Sequence, residues 1–462
     1  MKKNTLSISL LGITMLLSSC EKYVDIRTQG SLVPKDIQNY RYLLNNTSTY
    51  ETNTVLGNLA SDDVSIVDAS QQSSLISSDT YAPYRNSYTW QDNIFVLGTS
   101  YENDRDWNRM YSIIYNTNTI ISELPASTGT PAQIAALTAE ALVHRADAYL
   151  NLINQYALPY GANAATDLGV PLLTTQTVSQ SLERASVEAV YQQILKDLKQ
   201  AVPAIPVTQA YNTLPSKPAV YGLLARTYLY KNDYANAEAY ADSALALRST
   251  LNNLSTLTAA SQHHKRINDP ELLLSKTVNS GTEGYTPTAL RMSTDLLALY
   301  DTTDQRYNLF TVPASKISSA YTGRYYYRDQ AISEPRNVGP SVAEMILIKA
   351  EGRARAGQPA QAMALVNTLR RNRIKASGFV ALTATSANDA LIQVINERRR
   401  EFCFRNLRWW DMRRLKSETI FQKTITRTFN GVTYTLTPDS KRYVFPIASY
   451  LIQLNPEIVP NP

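Results

Sequence analysis

Three histidines, two cysteines and a scatter of carboxylates are the residues of this 462-residue chain whose types could support covalent or metal chemistry. His263 and His264 are adjacent and could share a cation, but no third ligand follows at the spacing of a zinc site, so they read as a solvated loop. His144 falls inside a predicted helix. No HExxH, paired CxxC or GxSxG occurs, and no glycine loop that could cradle a phosphate precedes a helix. A carboxylate pair for glycoside hydrolysis needs only proximity in space, so that possibility stays open. No catalytic residue, metal or cofactor is expected. Cys403, between Phe402 and Phe404, reads as a small buried hydrophobe.

Binding chemistry is better represented. The chain has 30 tyrosines against 8 phenylalanines and 4 tryptophans. Tyrosine offers an apolar face and a polar tip, which suits a partly wet surface gripping a polar ligand. Net charge is +6 from 45 basic and 39 acidic residues. The densest basic runs, Arg398–Arg400 and Arg413–Lys416, alternate with acids and tryptophans, so a nucleic-acid partner is not expected.

The elements that must position these residues begin with MKKNTLSISLLGITMLLSSC. Lys2 and Lys3 precede an apolar stretch from Leu6 to Leu17, too short to span a bilayer, and then small residues. Residues 1–19 therefore read as a signal peptide. Leu17-Ser18-Ser19-Cys20 resembles a lipobox, with Cys20 as the lipidated N-terminus and acyl chains as the membrane anchor. Residues 20–35 read as a tether and 36–462 as one globular unit. Apolar periodicity predicts helices over 131–156, 186–201, 388–404 and 407–416. Two helix pairs are predicted over 217–247, joined at Asn232-Asp233, and over 340–373, broken at Gly357-Gln358-Pro359. Tyr221, Leu224, Ala225, Tyr228, Ala237, Ala241 and Ala244 sit where a tetratricopeptide repeat places apolar and small residues. Ile346, Ala350, Ala362, Val366 and Leu369 repeat those offsets, with Arg353 in place of an aromatic. Leu142, Ala146 and Tyr149 fit half of a third copy. Strand signals are few, at Tyr325–Tyr327 and 431–436. The expected fold is mainly α, a scaffold of repeat-type helix pairs with long irregular insertions at about 61–107 and 250–335.

Four segments together are similar to the SusD/RagB family of outer-membrane nutrient-binding lipoproteins. They are the lipobox running into CEKYVDIRTQG, EALVHRADAYLNLINQYALPY followed by GVPLL, NERRREFCFRNLRWWDMRRL, and the closing KRYVFPIASYLIQLNPEIVPNP. Arg405, Asn406 and Ala448 depart from the family's usual residues. Read from its own residues, the third segment is structural: Glu397, Arg398, Glu401, Arg408, Asp411 and Arg413 can form ion-paired networks, and Trp409 or Trp410 can anchor a core.

The resemblance implies a non-catalytic protein on the cell exterior, lipid-anchored in the outer membrane. It would capture an oligosaccharide, or alternatively an oligopeptide, and cap a TonB-dependent barrel of the SusC/RagA type; a mainly structural lid is the other alternative. Sugar binding calls for flat aromatics with carboxylates, amides and guanidinium groups. The first insertion offers Asp62, Asp63, Tyr81, Tyr84, Arg85, Tyr88 and, as first choice, Trp90. Asp62-Asp63 also fits a turn or helix-start acid pair. The stretch 285–328 offers Arg324, Tyr325, Tyr326 and Tyr327, with Tyr285, Tyr300, Arg306, Tyr307 and Tyr321 nearby.

Overall fold

The computed structural model describes residues 35–177, 179–278 and 290–461. The expected signal peptide, Cys20, nearly all of the tether, and Tyr285 lie outside the described residues. Among the described residues no helix is long and apolar enough to cross a membrane.

The scaffold helices form where capping and periodicity place them. Thr130 and Gln133 close a reciprocal capping box at the start of Pro131–Tyr156, with Pro131 in the first turn, where its missing N–H costs nothing. Ser186 accepts from Ala189 N to start Val187–Ala201. The pair Lys217–Tyr230 and Tyr234–Leu247 turns at Asn232, which adopts a left-handed φ of 60°, and Asp233 caps the second helix. The pair Val342–Arg355 and Pro359–Arg371 turns at Gly357, φ 73°, before Pro359 restarts the chain as helix. Ala387–Phe402 and Leu407–Leu415 follow.

Helix Tyr234–Leu247 packs directly on Val342–Arg355, although the second insertion separates them in sequence. The repeat stack is therefore continuous in space. Ala225, Ala237, Ala241, Ala244, Ala350 and Ala362 are all fully buried, which allows the close approach. A buried bidentate pair, Arg226 Nε to Glu344 at 2.7 Å, joins the two helix pairs. Arg353, in the aromatic position of the second pair, instead meets Glu238 on the neighbouring helix, which accounts for the departure from the repeat pattern.

The first insertion is less irregular than expected. It holds Ala69–Ile76 and Ala82–Tyr88, and runs into a 19-residue helix, Arg105–Glu123, capped by Asp104. That helix is rich in Asn, Thr and Ser, which are indifferent helix formers; burial of Trp107, Met110, Ile113, Ile114 and Thr117 along one face stabilises it through tertiary packing. Strands are few and short. Thr311–Pro313 pairs antiparallel with Arg324–Tyr326, and Ile425–Phe429 with Val432–Leu436 across Asn430-Gly431, both at positive φ as a tight hairpin turn requires.

The segment 397–414 ties these parts together. Trp409 and Trp410 are both buried. Arg398 pairs with Asp411 at 3.0 Å, and Arg414 with Glu351 and Asp411 at 2.6 and 2.8 Å. Arg399 reaches Asp63 at 2.6 Å and Arg408 reaches Asp62 at 2.7 Å, which pins the first insertion. Arg306, from the second insertion, meets Glu397 and Glu401 at 2.8 Å each. Arg413 donates to the carbonyls of Tyr443, Asn154 and Ala157. Apart from the partly exposed Arg408, the charged groups paired here are buried, so removing one partner leaves an uncompensated charge.

Two predictions follow from this packing. Arg399→Ala strands the fully buried Asp63 carboxylate and is expected to lower stability by about 3–5 kcal/mol in urea denaturation; a change within about 0.5 kcal/mol, as for an exposed site, contradicts the pairing. The second concerns Asp104, which burial and then the neighbouring Asp106 push up to about 7 from 3.8. Between those pH values the folded chain keeps a proton that the unfolded chain releases, so this group's contribution to stability falls as pH rises and levels off above about 7. Asp104→Asn keeps an acceptor for Trp107 N but cannot titrate. The variant is therefore expected to gain on the wild type between pH 5 and pH 8 in denaturant titrations, whereas a pH-independent difference contradicts the assignment.

Candidate functional site

The first-insertion candidates face the core. Trp90 is 6% exposed, and its Nε1 donates to Ala60 O at 2.9 Å. The Arg427 guanidinium lies 4.2 Å from the Trp90 ring centroid and 4.1 Å from that of Tyr88, and donates to the carbonyls of Leu59, Ser61 and Tyr88. Tyr88 accepts from Ile66 N at 2.9 Å, Tyr84 is buried, and Tyr81 packs on it half-buried. Arg85 donates to Leu75 O and borders a shallow depression with Asn86, Gln91 and Tyr434. Asp62 and Asp63 are engaged by Arg408 and Arg399. In this structure Trp90, Tyr84, Tyr88, Asp62 and Asp63 are thus engaged in holding the insertion in place. The C-terminal hairpin supplies Arg427, a cation that neither loop composition nor local spacing could associate with them.

The second insertion is different. Segments 250–257 and 262–272, strand Thr311–Pro313, Tyr326, Arg328 and the end of helix Ala387–Phe402 enclose a cavity of about 220 Å³. Its inner end is ionic. Arg373 bridges Glu271 at 2.6 Å and Glu401 at 2.9 Å, and donates to Asn252 O at 2.7 Å. Burial alone would raise the Glu401 carboxyl, but Arg373 and Arg306 outweigh it and hold it down to about 2. The Glu271 carboxyl is pushed up by burial, against the pull of Arg373. Glu271 also accepts from Asn252 N, so both acids are saturated on the same guanidinium rather than facing one another across a cleft. Such an arrangement does not present a free acid and base to a glycosidic bond. Cys403 lines the cavity as a buried thiol pushed up to about 12 by burial, so it is no nucleophile at neutral pH.

The outer part mixes ring faces with cations. His263 packs on Phe310 at 5.8 Å, and the Arg328 guanidinium lies 5.7 Å from the same ring. His264 is exposed beside them, so the histidine pair is part of the cavity wall rather than a freely solvated loop. Burial and then the Arg328 charge depress the His263 pKa. Among the described residues no group of three or more His, Cys, Asp or Glu could hold a metal ion. Three buried polar atoms of cavity-lining residues lack a hydrogen-bond partner: Arg328 Nη1, Arg405 Nε and Asn252 Oδ1. Donors and an acceptor left open beside apolar rings are the makings of a site for a polar ligand.

The remaining candidates distribute around this cavity. Tyr326 lines it, with Tyr300 and Arg306. Tyr325 is fully buried, donating to Gln71 Oε1 at 3.2 Å, and is structural. Arg324 lies over the Tyr307 ring at 3.9 Å, and Tyr327 is half-buried behind Phe310, donating its backbone N–H to Phe310 O at 2.7 Å. Residues unremarked as ligand contacts in the sequence complete the wall: Asn252, Phe310, Arg328, Arg373 and Arg405. Only Arg405 carried a signal, as a departure from the family's usual residue.

Trp90→Ala is expected to remove a packed ring and the hydrogen bond to Ala60, lowering stability by about 3–5 kcal/mol. Thermal unfolding with and without the substitution checks this; an unchanged melting temperature contradicts the core placement.

Two family models match the chain, one described as starch-binding and associating with the outer membrane over residues 22–229, the other as the SusD family over residues 279–462. SusD-like protein P2 of Formosa agariphila is 24% identical over 417 residues, covering 77% of this chain and 79% of its own. SusD-like protein P38 of the same organism is 23% identical over 375 residues, covering 66% and 71%. Among solved structures, a SusD superfamily protein from Bacteroides thetaiotaomicron superposes with a TM-score of 0.73 at 19% identity, over 92% of this chain and 100% of its own. A SusD-like carbohydrate binding protein from Bacteroides vulgatus gives 0.68 at 19% identity, over 92% and 97%. Matched at both ends by models of one family, and carrying the same mainly helical fold, this chain belongs to the SusD/RagB family.

Proposed function

We propose that this protein is the ligand-capturing lipoprotein of an outer-membrane importer. Held by lipid on Cys20 and facing the cell exterior, it takes an oligosaccharide into the cavity between the second insertion and helix Ala387–Phe402. It then caps a TonB-dependent barrel transporter of the SusC/RagA type, so that the ligand passes inward. Membership of the family supports the uptake role, and the carbohydrate binding stated for one structural relative supports the ligand class. The observation that carries the reading is the cavity itself: the aromatic residues Phe310 and Tyr326 line it, and Asn252 Oδ1, Arg328 Nη1 and Arg405 Nε are unfilled hydrogen-bonding positions. At about 220 Å³ it is smaller than the 300–1,000 Å³ of a typical drug-sized pocket. It therefore suits one terminal sugar unit, with the remaining chain lying toward the exposed side at Gln262 and His264.

Calorimetry with panels of oligosaccharides and oligopeptides tests this. Saturable saccharide binding is expected, weakened at least tenfold by Phe310→Ala and by the milder His263→Ala, with melting temperatures recorded for both. Saturable binding of peptides alone would overturn the saccharide reading. Saccharide binding that neither substitution affects would remove it from this cavity.

A further inference from the structure

The cavity is not electrically neutral in its makeup. Five arginines line it (Arg306, Arg328, Arg373, Arg400 and Arg405) against three carboxylates. The carboxylates are already engaged. Glu271 and Glu401 are taken by Arg373, and Glu401 also by Arg306. Asp269 accepts from Asn252 Nδ2 and from Glu271 N. Arg400 is answered by Glu397 at 2.6 Å. That leaves Arg328 and Arg405 as the two guanidinium groups with capacity to spare.

Neither is well satisfied. The nearest acid to Arg328 is Asp329, with Nη1 to Oδ1 at 3.8 Å, beyond hydrogen-bond length; the other Asp329 oxygen is held by Arg336 at 2.9 Å. Arg405 makes no side-chain hydrogen bond or ion pair to the described residues, and only flanks the Phe402 ring at 5.8 Å. Arg328 Nη1 and Arg405 Nε are both buried and unpartnered. The two charges are also close enough to disfavour each other, which adds to the burial that lowers the Arg328 pKa. Two like charges held together on one wall of a cavity, each with a dry donor open, are costly unless an anion completes them. A guanidinium fork matches the paired oxygens of a carboxylate or sulfate better than any neutral hydroxyl.

Resting on the reading that this cavity takes a saccharide, we infer that the saccharide is acidic, its oxyanion substituent (a uronate carboxylate or a sulfate ester) accepting hydrogen bonds from Arg328 and Arg405. The neutral ring face then lies against Phe310, and Asn252 Oδ1 accepts from a ring hydroxyl.

The test uses the purified protein with four probes: trigalacturonate, its fully methyl-esterified form, a sulfated galactose trisaccharide and the unsulfated trisaccharide. Arg328→Gln and Arg405→Gln are compared with the wild type by calorimetry at fixed ionic strength. Neither side chain carries a buried ion pair of the folding network, so melting temperatures close to the wild type are expected for both variants. At least one acidic probe is expected to bind at least tenfold more tightly than its neutral partner, and each variant to lose at least tenfold for that probe alone. Preference for trigalacturonate identifies a carboxylate as the natural substituent, and preference for the sulfated probe identifies a sulfate. Neutral and acidic probes binding alike, or acidic binding that survives both substitutions, would overturn this inference and leave the saccharide reading standing. No saturable binding of any of the four probes up to 10 mM, against binding of an acidic tripeptide, would overturn both.

Discussion

The structure depends on a lattice of buried arginine–carboxylate pairs centred on residues 397–414. Within that short segment Arg398 and Arg414 pair with Asp411, and Arg400 with Glu397, while Glu397, Arg399, Glu401, Arg408, Arg413 and Arg414 reach other parts of the chain. Burying so many charges is not a route to high stability by itself, because desolvation offsets most of the Coulombic gain. What it provides is geometric selectivity. Each guanidinium fits one partner in one orientation, and any alternative packing leaves a bare charge in a dry interior.

This lattice explains how two long insertions keep fixed positions on a repeat scaffold. The first insertion is held by Asp62 and Asp63 below and by Arg427 above, where the cation lies over Tyr88 and Trp90 and takes three backbone carbonyls. The second is held through Arg306 and through Arg373, which links segment 252–271 to Glu401. The floor of the cavity is therefore made of the same side chains that fix the fold. Its shape is set before a ligand arrives, and preorganisation of that kind reduces the ordering cost of binding. Among the described residues that line the cavity, Arg328 Nη1, Arg405 Nε and Asn252 Oδ1 are the buried polar atoms with unmet hydrogen-bonding capacity.

Much of the scaffold was legible because its signals are local. The Thr130–Gln133 capping box, the breaks at Asn232 and Gly357, and the periodic alanines of the two helix pairs each act within a few residues, and the helices end where those residues place them. The Arg105–Glu123 helix was not legible, because its Asn- and Thr-rich sequence becomes helical only by burying one face against Pro131–Tyr156. The surroundings of the candidate residues were less legible for the same reason. Trp90 in a polar, tyrosine-rich loop has the composition of a sugar platform, yet Arg427, more than three hundred residues away, draws it into the core. Conversely, Phe310, Arg328 and Arg405 form one wall only after the chain has folded. The ion-pair role of the 397–414 segment was readable in outline, since alternating charge with tryptophan at helical spacing has few other uses, but its partners Asp62, Glu351 and Arg306 were not.

Amide hydrogen exchange, measured with and without a saturating saccharide, tests directly whether the second insertion forms the capture site. The account predicts slowed exchange at 250–257, 262–272, 309–312, 325–332 and 403–406, with 62–92 unchanged. Protection confined to 62–92, with the second insertion unaffected, would contradict it.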